Sequence, residues 1–276
     1  MALLNYLEFQ ERFINTKSMA IIGSSDSVLK YENGPYIEGH DLVVRFNRTK
    51  TDGLEGKVGT RTDILVVNDV NNLKKAPVVR ELSNPKVVVC FIDRSGFNKS
   101  PTHLSDFLEW VGDTDLFLCP RPDIAMVGVD RNTRSFSMGL YALGFLPYAL
   151  NVERLFISGF TFFGAVEGGS LHYSKKASFA GALWHDADME KIVATQILNE
   201  FNMDVTVTEE IFQLVKCSKT KIHCLGNDHG QLVYSQRLSY VIPEVIGFLL
   251  YKISKIIMKV GYVLRRLAEI LRRNRA

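Results

Sequence analysis

One short segment of the chain concentrates groups that could bind a metal ion or move a proton. Residues 184–190 read WHDADME, in which His185 is followed by Asp186, Asp188 and Glu190. Imidazole and carboxylate groups are good metal ligands. On a helix, however, the positions one, three and five residues beyond the histidine point in different directions and cannot converge with it on one ion. The spacing therefore disfavours a shared metal, and His185 is either a catalytic base or part of a helix cap.

The residues after His185 are typical of the first turn of a helix. Asp186 is a candidate N-cap, and the acids that follow suit the positive end of the helix dipole. That end favours a neutral imidazole at His185, whereas the nearby acids favour the charged form. The direction in which the pKa of His185 is shifted therefore stays open. A second histidine segment, HCLGNDH at 223–229, has no paired segment elsewhere and is predicted to be a turn with surface histidines.

A junction between a strand and a helix near the amino terminus could bind an anion. The run MAIIG at 19–23 predicts a strand, and Ser24 and Ser25 follow its final residue, Gly23. Backbone N–H groups at such a junction, together with the helix dipole, favour phosphate. The segment lacks both the GxGxxG dinucleotide fingerprint and the GxxxxGK[ST] phosphate loop, which argues against a dehydrogenase or a P-loop enzyme. By itself it is at least as typical of an ordinary turn.

These candidate residues need a framework, and the rest of the pattern predicts an α/β fold. Short runs rich in branched and aromatic apolar residues recur at 19–23, 41–46, 63–68, 86–92, 115–119 and 154–160. Continuous apolar strands of this kind are typical of a mainly parallel central sheet with helices on both faces. The largely apolar segment 135–150 is predicted to form a helix. Residues 1–242 are expected to form one domain.

Residues 243–276 differ from the rest of the chain in charge. They carry eight Lys or Arg residues and two Glu residues, a net charge of +6, so residues 1–242 carry −3 of the total of +3. Apolar residues recur every three or four positions from Ile246 to Leu271, which predicts one amphipathic helix. A basic helix of this kind can lie in an anionic membrane surface, or pack on the core with its basic face in water. Nucleic-acid binding is disfavoured because the remainder of the chain is acidic.

The sequence also predicts where the protein works. The first residues, MALLNYLEFQERF, place Glu8 and Glu11 inside their apolar stretch, unlike a secretory signal. The longest strongly apolar run, VIGFLLY at 245–251, is far shorter than the roughly 20 residues of a membrane span. The four cysteines form no CxxC pair and suit a reducing compartment. We expect a cytoplasmic protein, peripheral on the inner face of the cytoplasmic membrane through residues 243–276.

Four segments, taken in order, resemble the motifs of the sialyltransferase family. The first comprises Gly23-Ser24-Ser25, the segment HDLVVRFNR at 40–48, which contains Asn47, and KVGTRT at 57–62. The second, SFSMGLYALGFLPYALNVERLFISGFTFF at 135–163, contains Ser137, Gly139, Gly159 and Phe160. The third is His172-Tyr173, and the fourth runs from His185 to Glu190. The resemblance rests on these four motifs in the same order between residues 19 and 190.

The chain departs from the family pattern at a few positions. Ser24 stands where the family usually has an asparagine, whose side chain reaches further. The two cysteines that join the long and short motifs in animal members align with Met19 and, approximately, Val152. Their absence is expected of a bacterial protein that stays in a reducing cytoplasm. The third motif lies closer to His185 than it does in animal members.

The resemblance implies a Rossmann-like variant of the GT-A glycosyltransferase fold and a CMP-linked donor. The donor would carry an acidic sugar, either sialic acid or Kdo, and would leave as a phosphate monoester, so no metal or other cofactor is expected. His185 would act as the general base of an inverting displacement. His172 would support the departing phosphate. Tyr173 and Glu190 would support the site, Glu190 by capping its own helix or by orienting His185.

The same resemblance implies which residues bind the donor. Those that would hold the phosphate, the ribose and the sugar carboxylate are Ser24, Asn47, Ser137 and Gly139. Those that would complete the donor site are Gly23, Ser25, Gly159 and Phe160.

The expected function is transfer of the acidic sugar to a hydroxyl of a lipid-linked glycan. The core of a lipopolysaccharide or lipooligosaccharide is such an acceptor, and the basic tail would hold the enzyme beside it. The alternative is a non-catalytic protein of the same fold that binds a sugar nucleotide or a membrane.

Overall fold

The computed structural model describes residues 1–47, 50–67, 84–92, 101–120, 136–162, 187–215, 222–225 and 232–235. All of them belong to one compact unit, Met1–Gln236. The predicted site residues His172, Tyr173 and His185 lie outside the described residues, as does the tail at 243–276. The boundary between the two predicted domains therefore stays a prediction.

The described part of the chain forms one ten-stranded sheet. Its strands are β1 (Leu3–Leu4), β2 (Ser18–Ile22), β3 (Leu42–Phe46), β4 (Ile64–Val67), β5 (Val87–Ile92), β6 (Asp115–Pro120), β7 (Arg154–Ser158), β8 (Asp204–Thr208), β9 (Ile222–Leu225) and β10 (Leu232–Ser235). They lie in the order β1-β6-β5-β4-β3-β2-β7-β8-β9-β10. Neighbouring strands are parallel except β9 and β10, which are antiparallel. The predicted α/β class with a mainly parallel sheet is confirmed.

Helices and one 3₁₀ helix connect these strands. They are α1 (Tyr6–Arg12), the 3₁₀ helix (Asp26–Lys30), α2 (Gly34–Glu38), α3 (Glu55–Val58), α4 (Pro101–Val111), α5 (Met138–Ala149), α6 (Ala187–Glu200) and α7 (Glu209–Leu214). The helix predicted at 135–150 is α5. In the described ranges, no helix combines the length and apolarity needed to cross a membrane.

The central strands are buried on both faces, which explains their continuous apolar sequences. In β2, Met19 and Ile21 belong to an apolar cluster that includes residues of α5 and α6. Ala20 and Ile22 belong to another cluster, shared with the 3₁₀ helix and α2. Val152, which aligns approximately with a family cysteine, is buried in the same cluster as Met19. Buried apolar side chains therefore stand at both positions that align with the family cysteines.

The sheet changes its direction of growth between β2 and β7. From β2 the chain builds β3, β4 and β5 on one side, whereas β7 pairs with the other side of β2 and is followed outward by β8. In open α/β sheets, ligands bind outside the carboxyl ends of the strands at such a switch point. The ends of β2 and β7 therefore mark the edge where a binding site is expected.

One segment was predicted wrongly in its first half. Residues 223–229 were expected to form a turn, but Ile222–Leu225 is strand β9, parallel to β8, and Cys224 is buried. Residues 226–229 lie outside the described residues. Four residues are too few to show an apolar period, so the sequence pattern does not predict this strand.

Candidate functional site

The ends of β2 and β7 touch through their backbones. Gly23 donates its N–H to the carbonyl of Ser158 at 2.8 Å, and Ser25 donates its N–H to the carbonyl of Gly159 at 3.0 Å. A Cβ placed on Gly23 would stand 2.1 Å from the carbonyl oxygen of Gly159. Gly159 has a φ of +74°, and a Cβ there would stand 2.7 Å from the carbonyl oxygen of Gly23. Both positions therefore require glycine, and these predicted site residues meet at the switch point.

The loop after Gly23 is fixed by Ser25. Ser25 caps the 3₁₀ helix, because its hydroxyl accepts the N–H of Ser27 at 3.3 Å. Ser25 also donates its own backbone N–H to the carbonyl of Gly159. Ser25 therefore fixes the conformation of the loop. Ser24 is half-buried and is more accessible to solvent than the buried Ser25.

The far end of the same loop is anchored to β8. The hydroxyl of Tyr31 donates to a carboxylate oxygen of Glu210 at 2.6 Å, and the hydroxyl of Thr208 donates to the other oxygen at 2.6 Å. Burial and the adjacent Glu210 carboxylate raise the pKa of the Tyr31 phenol. Because Thr208 ends β8 and Glu210 lies in the first turn of α7, this contact fixes the loop against the carboxyl edge of the sheet. Sequence reasoning missed it, since the partners are 179 residues apart.

The segment HDLVVRFNR divides into structural residues and one residue at the site edge. Arg45 is fully buried, and its guanidinium donates to the carbonyl of Arg61 at 2.9 Å and to the carbonyl of Val58. It thereby holds the turn after α3 against β3. Asn47 follows the end of β3 with a φ of +50°, a conformation that asparagine tolerates well, and donates its N–H to the carbonyl of Val66 at 2.8 Å. Asn47 is half-buried.

His40 and Asp41, which begin that segment, lie at the opposite end of β3. Asp41 accepts hydrogen bonds from the N–H groups of Lys17 and Ser18 and from the hydroxyl of Ser18. The ring of His40 packs against Tyr36 and Phe156, and burial lowers the pKa of His40. Both residues therefore stabilise the fold away from the carboxyl edge.

Gly139 and Phe160 are also brought together at this edge. A Cβ on Gly139 would stand 2.5 Å from Cε1 of the Phe160 ring, so the absence of a side chain makes room for the ring. The same ring packs edge-on against Phe46 at 5.7 Å and stacks with Phe162 at 5.8 Å between centroids. Phe162 itself has a φ of +45°, which costs energy in a bulky residue. Three phenylalanines thus cover the ends of β3 and β7.

Ser137 and Glu190 form a buried clamp between two helices. Ser137 caps α5, where its hydroxyl accepts the N–H of Leu140 at 3.2 Å. That hydroxyl donates to Oε2 of Glu190 at 2.8 Å, and the N–H of Ser137 donates to Oε1 at 2.5 Å. A hydroxyl has only one proton to donate. In this arrangement the hydroxyl proton of Ser137 is used by Glu190. The role in donor binding that the resemblance implies for Ser137 stays a prediction.

Glu190 contacts the start of a neighbouring helix. It lies in the first turn of α6 and is 1% exposed, and its carboxylate accepts the N–H and the hydroxyl of Ser137 at the start of α5. The expected role in capping its own helix or orienting His185 stays a prediction. The exposed Asp188, two positions earlier, faces different surroundings. No pattern in the sequence indicates the pairing with Ser137, because it depends on how α5 and α6 pack.

Metal and thiol chemistry can be considered only for the described ranges. Within them, no group of three or more His, Cys, Asp or Glu side chains is arranged to hold a metal ion. Cys90, Cys119 and Cys224 are buried and form no disulfide, and burial raises the pKa of Cys119 to about 12. A thiol with a raised pKa is a poor nucleophile.

The first part of the chain matches a known family. Residues 5–92 match the model of glycosyltransferase family 29 (sialyltransferase). This match covers about a third of the chain and includes Gly23, Ser24, Ser25 and Asn47. It confirms the resemblance to the sialyltransferase family.

Several curated proteins are similar over this part. Beta-1,6-galactosyltransferase GALT29A of Arabidopsis thaliana is 38% identical over 58 residues, which are 21% of this chain and 14% of that protein. Human CMP-N-acetylneuraminate-beta-galactosamide-alpha-2,3-sialyltransferase 1 is 36% identical over 53 residues, or 19% of this chain and 16% of that protein. The aligned segments thus span a sixth or less of these relatives.

Solved structures are similar over a longer stretch. A crystal structure of a mammalian sialyltransferase has a TM-score of 0.45 and 20% identity, covering 74% of this chain and 72% of that chain. The complex of a mammalian sialyltransferase with Gal-beta-1-3GalNAc-ortho-nitrophenol gives a TM-score of 0.45 and 19% identity, covering 74% and 73%.

Proposed function

We propose that this chain, whose residues 5–92 match glycosyltransferase family 29, is a CMP-sugar-dependent glycosyltransferase. It moves an acidic sugar, sialic acid or Kdo, from its CMP donor to a hydroxyl of a lipid-linked glycan. The reaction inverts the anomeric centre and needs no metal.

One observation carries this proposal, the meeting of β2 and β7 through Gly23 and Gly159 at the switch point. The two glycines allow the backbones at the ends of β2 and β7 to come into contact, and in open α/β sheets ligands bind outside the strand ends at such a switch point. Ser24 and Asn47 stand beside this point on the loops after β2 and β3. The buried rings of Phe46, Phe160 and Phe162 pack against one another at the same edge.

The proposed inverting transfer requires one general base and a good leaving group. His185, in its neutral form, takes the proton from the acceptor hydroxyl as the oxygen attacks the anomeric carbon from the face opposite CMP. CMP departs as a phosphate monoester, whose charge is smaller than that of a diphosphate. His172 supports this phosphate. The hydroxyl proton of Ser137 is engaged by Glu190, so Ser24 and Asn47 are the better candidates to hold the donor.

Two donors fit this chemistry equally well. CMP-sialic acid and CMP-Kdo share the leaving group and a carboxylate on the anomeric carbon. The similar plant protein is named a galactosyltransferase, so membership of the family does not fix the sugar. A galactose nucleotide is therefore a necessary third donor in any test.

The test offers each donor separately to the purified full chain. CMP-sialic acid, CMP-Kdo and UDP-galactose are incubated with membrane lipid oligosaccharide, with and without EDTA, and the acceptor mass is read by mass spectrometry. We expect the mass to rise by one acidic sugar with a CMP donor, and to do so in EDTA. Transfer of galactose alone would contradict the proposed donor class, and loss of transfer in EDTA would contradict the metal-free mechanism.

Two histidine variants test the base. His185→Ala is expected to abolish transfer while CMP still binds, as measured by calorimetry. His223→Ala is the matched control, because His223 lies on β9, two strands from β7, and should keep full turnover. Full turnover of His185→Ala would exclude the assigned base. Binding of CMP by the wild-type chain without transfer from any donor would favour the non-catalytic alternative.

A further inference from the structure

We infer that Glu210 is a positioning residue for the phosphate of the donor, because it holds the far end of the loop that carries Ser24. This loop, which we call the donor loop, comprises residues 23–31 and runs from the end of β2 through the 3₁₀ helix to Tyr31. The inference rests on the proposed function for the identity of the bound group, a phosphate monoester. The contact between Glu210 and the loop stands on its own geometry.

The near end of the donor loop is fixed by backbone hydrogen bonds. Gly23 donates its N–H to the carbonyl of Ser158 at 2.8 Å. Ser25 donates its N–H to the carbonyl of Gly159 at 3.0 Å. Ser24 lies between these two bonded residues and is half-buried. The orientation of Ser24 therefore depends on the direction in which the chain leaves its neighbour at position 25.

The far end of the donor loop is fixed by one carboxylate. The hydroxyl of Tyr31 donates to Oε2 of Glu210 at 2.6 Å, and the hydroxyl of Thr208 donates to Oε1 at 2.6 Å. Tyr31 is 5% exposed, and burial together with the adjacent carboxylate raises the pKa of its phenol, so the phenol keeps its proton and stays the donor. Hydrogen bonds to an ionised acceptor are roughly twice as strong as those between neutral groups. Glu210 therefore ties the loop firmly to the end of β8.

Other contacts keep the donor loop folded without this carboxylate. Val28, in the 3₁₀ helix, is fully buried in an apolar cluster with residues of β2 and α2. Nζ of Lys57 donates to the carbonyl of Leu29 at 2.6 Å. Apolar contact is non-directional, so it holds the loop on the sheet without fixing its orientation. Loss of the Glu210 contact is therefore expected to loosen the loop while the protein stays folded.

A loosened donor loop should weaken phosphate binding in particular. A loop that its ligand must order binds more weakly than a preformed loop, because the ordering costs free energy on binding. The backbone N–H groups at the end of a strand favour a phosphate, whereas they have no special affinity for an uncharged nucleoside. CMP and cytidine differ only in the phosphate. The ratio of their affinities therefore measures the contribution of this loop.

Four single variants separate the anchor from its surroundings. Tyr31→Phe removes one hydroxyl and keeps the ring, and Glu210→Ala removes the carboxylate. Glu210→Gln keeps a connection, because its amide oxygen can accept from Tyr31 while its NH₂ group donates to Thr208. Glu209→Ala removes an exposed acid from the same turn and is the matched control.

Calorimetry with CMP and with cytidine measures binding in each variant. We expect the Kd of CMP to rise on the order of tenfold in Tyr31→Phe and Glu210→Ala, while the Kd of cytidine stays unchanged. Glu210→Gln should restore most of the loss, and Glu209→Ala should show none. The double variant of Tyr31→Phe and Glu210→Ala should lose little more than either single variant, because both remove the same contact.

Steady-state kinetics provide a readout that a merely structural role would not change. The phosphate is held in the ground state and in the transition state, so we expect the KM of the donor to rise in Tyr31→Phe while kcat stays within about twofold. A variant that only lowered the fraction of folded protein would lower the measured kcat and leave this KM unchanged. If Glu210→Ala does not fold, Tyr31→Phe decides the result.

The outcomes distinguish this inference from the proposed function. An unchanged CMP affinity in Tyr31→Phe, or an equal loss for CMP and cytidine, overturns the positioning role. It is also overturned if the wild-type chain binds CMP no more tightly than cytidine. If CMP binding depends on Tyr31 and Glu210 as expected but the wild-type chain transfers no sugar, the positioning role holds and the proposed function fails. If sugar is transferred while Tyr31→Phe binds CMP normally, the proposed function stands and the positioning role fails.

Discussion

Gly23 is the residue on which the geometry of the site depends most directly. Alanine at this position would place a methyl group 2.1 Å from the carbonyl oxygen of Gly159, an approach that backbone atoms cannot accommodate without moving apart. We expect Gly23→Ala to lower the free energy of unfolding by roughly 2–3 kcal/mol, in the upper range of overpacking changes, and to weaken CMP binding. Urea unfolding and calorimetry would measure the two effects.

Gly39→Ala provides the control for this prediction. The nearest atoms to a Cβ on Gly39 are carbonyl oxygens at 3.4 and 3.7 Å, which is ordinary contact. Its backbone is helical, with a φ of −74°, so alanine fits without strain. This variant should keep nearly the wild-type stability. A Gly23→Ala protein as stable as Gly39→Ala would show that the strand ends can separate at little cost.

For single residues, the sequence predicted where the candidate site residues lie better than it predicted what each of them binds. Gly23, Asn47, Gly159 and Phe160 were expected at one site, and the strand ends bring them to one edge. The strands follow directly from local apolar runs, and their carboxyl ends meet because the sheet is parallel. The role of Ser137 could not be predicted in this way. Its partner is 53 residues away and is selected by helix packing.

Among the elements, α2 and the turn after α3 are joined by one carboxylate. Oε1 of Glu38, the last residue of α2, accepts the N–H groups of Thr60 at 2.5 Å and Arg61 at 2.8 Å. Burial acts to raise the pKa of Glu38, but these N–H groups and the nearby Arg61 charge outweigh it, so the pKa lies below its ordinary value of 4.5. This contact holds the KVGTRT segment in place beside the buried Arg45.

The stability of the fold should therefore fall in acid partly through Glu38. A carboxyl group whose pKa is lowered by folding contributes stability that is fully present above its unfolded pKa and is lost as the pH falls through its folded pKa. We expect the free energy of unfolding to decline below the ordinary pKa of 4.5, and to decline less steeply in Glu38→Gln. Urea unfolding between pH 7 and about pH 3.5 would measure both slopes.

Glu153→Gln is the matched control for the acid slope. Its side chain is 65% exposed and lies 3.8 Å from Lys17, a loose surface pair. It should retain the wild-type slope. Because Asp41 also has a lowered pKa, from N–H groups of Lys17 and Ser18 that overcome its desolvation, a residual slope is expected in Glu38→Gln. An identical slope in Glu38→Gln and wild type would contradict the assignment.

The elements that the sequence missed share a physical reason. Strand β8 reads DVTVT, in which Val205 and Val207 are fully buried but threonines interrupt the apolar run. Strand β1 has only two residues and pairs with the edge of β6. Short or alternating strands carry little local signal, and their place in the sheet is fixed by pairing with neighbours. The continuous core strands, in contrast, were predicted to within one or two residues.

For the whole molecule, the charge distribution predicts binding to an anionic membrane surface. The tail at 243–276 has a net charge of +6, whereas residues 1–242 have −3. Each Lys or Arg near an anionic surface contributes about 1 kcal/mol, and an apolar stripe adds its burial at the acyl boundary. We therefore expect the full chain to sediment with vesicles that contain phosphatidylserine. It should bind less to neutral phosphatidylcholine vesicles, and less at high salt.

Deletion of residues 243–276 is expected to abolish sedimentation with anionic vesicles. If the tail serves to bring the site to a membrane acceptor, the shortened chain should lose transfer to lipid-linked oligosaccharide while it keeps transfer to the same oligosaccharide freed from lipid. This difference separates a membrane role from a structural one, because a helix that packs on the core would lower thermal stability and both activities together. Unchanged vesicle binding after the deletion would contradict the membrane role, and the basic face would then be a solvated surface.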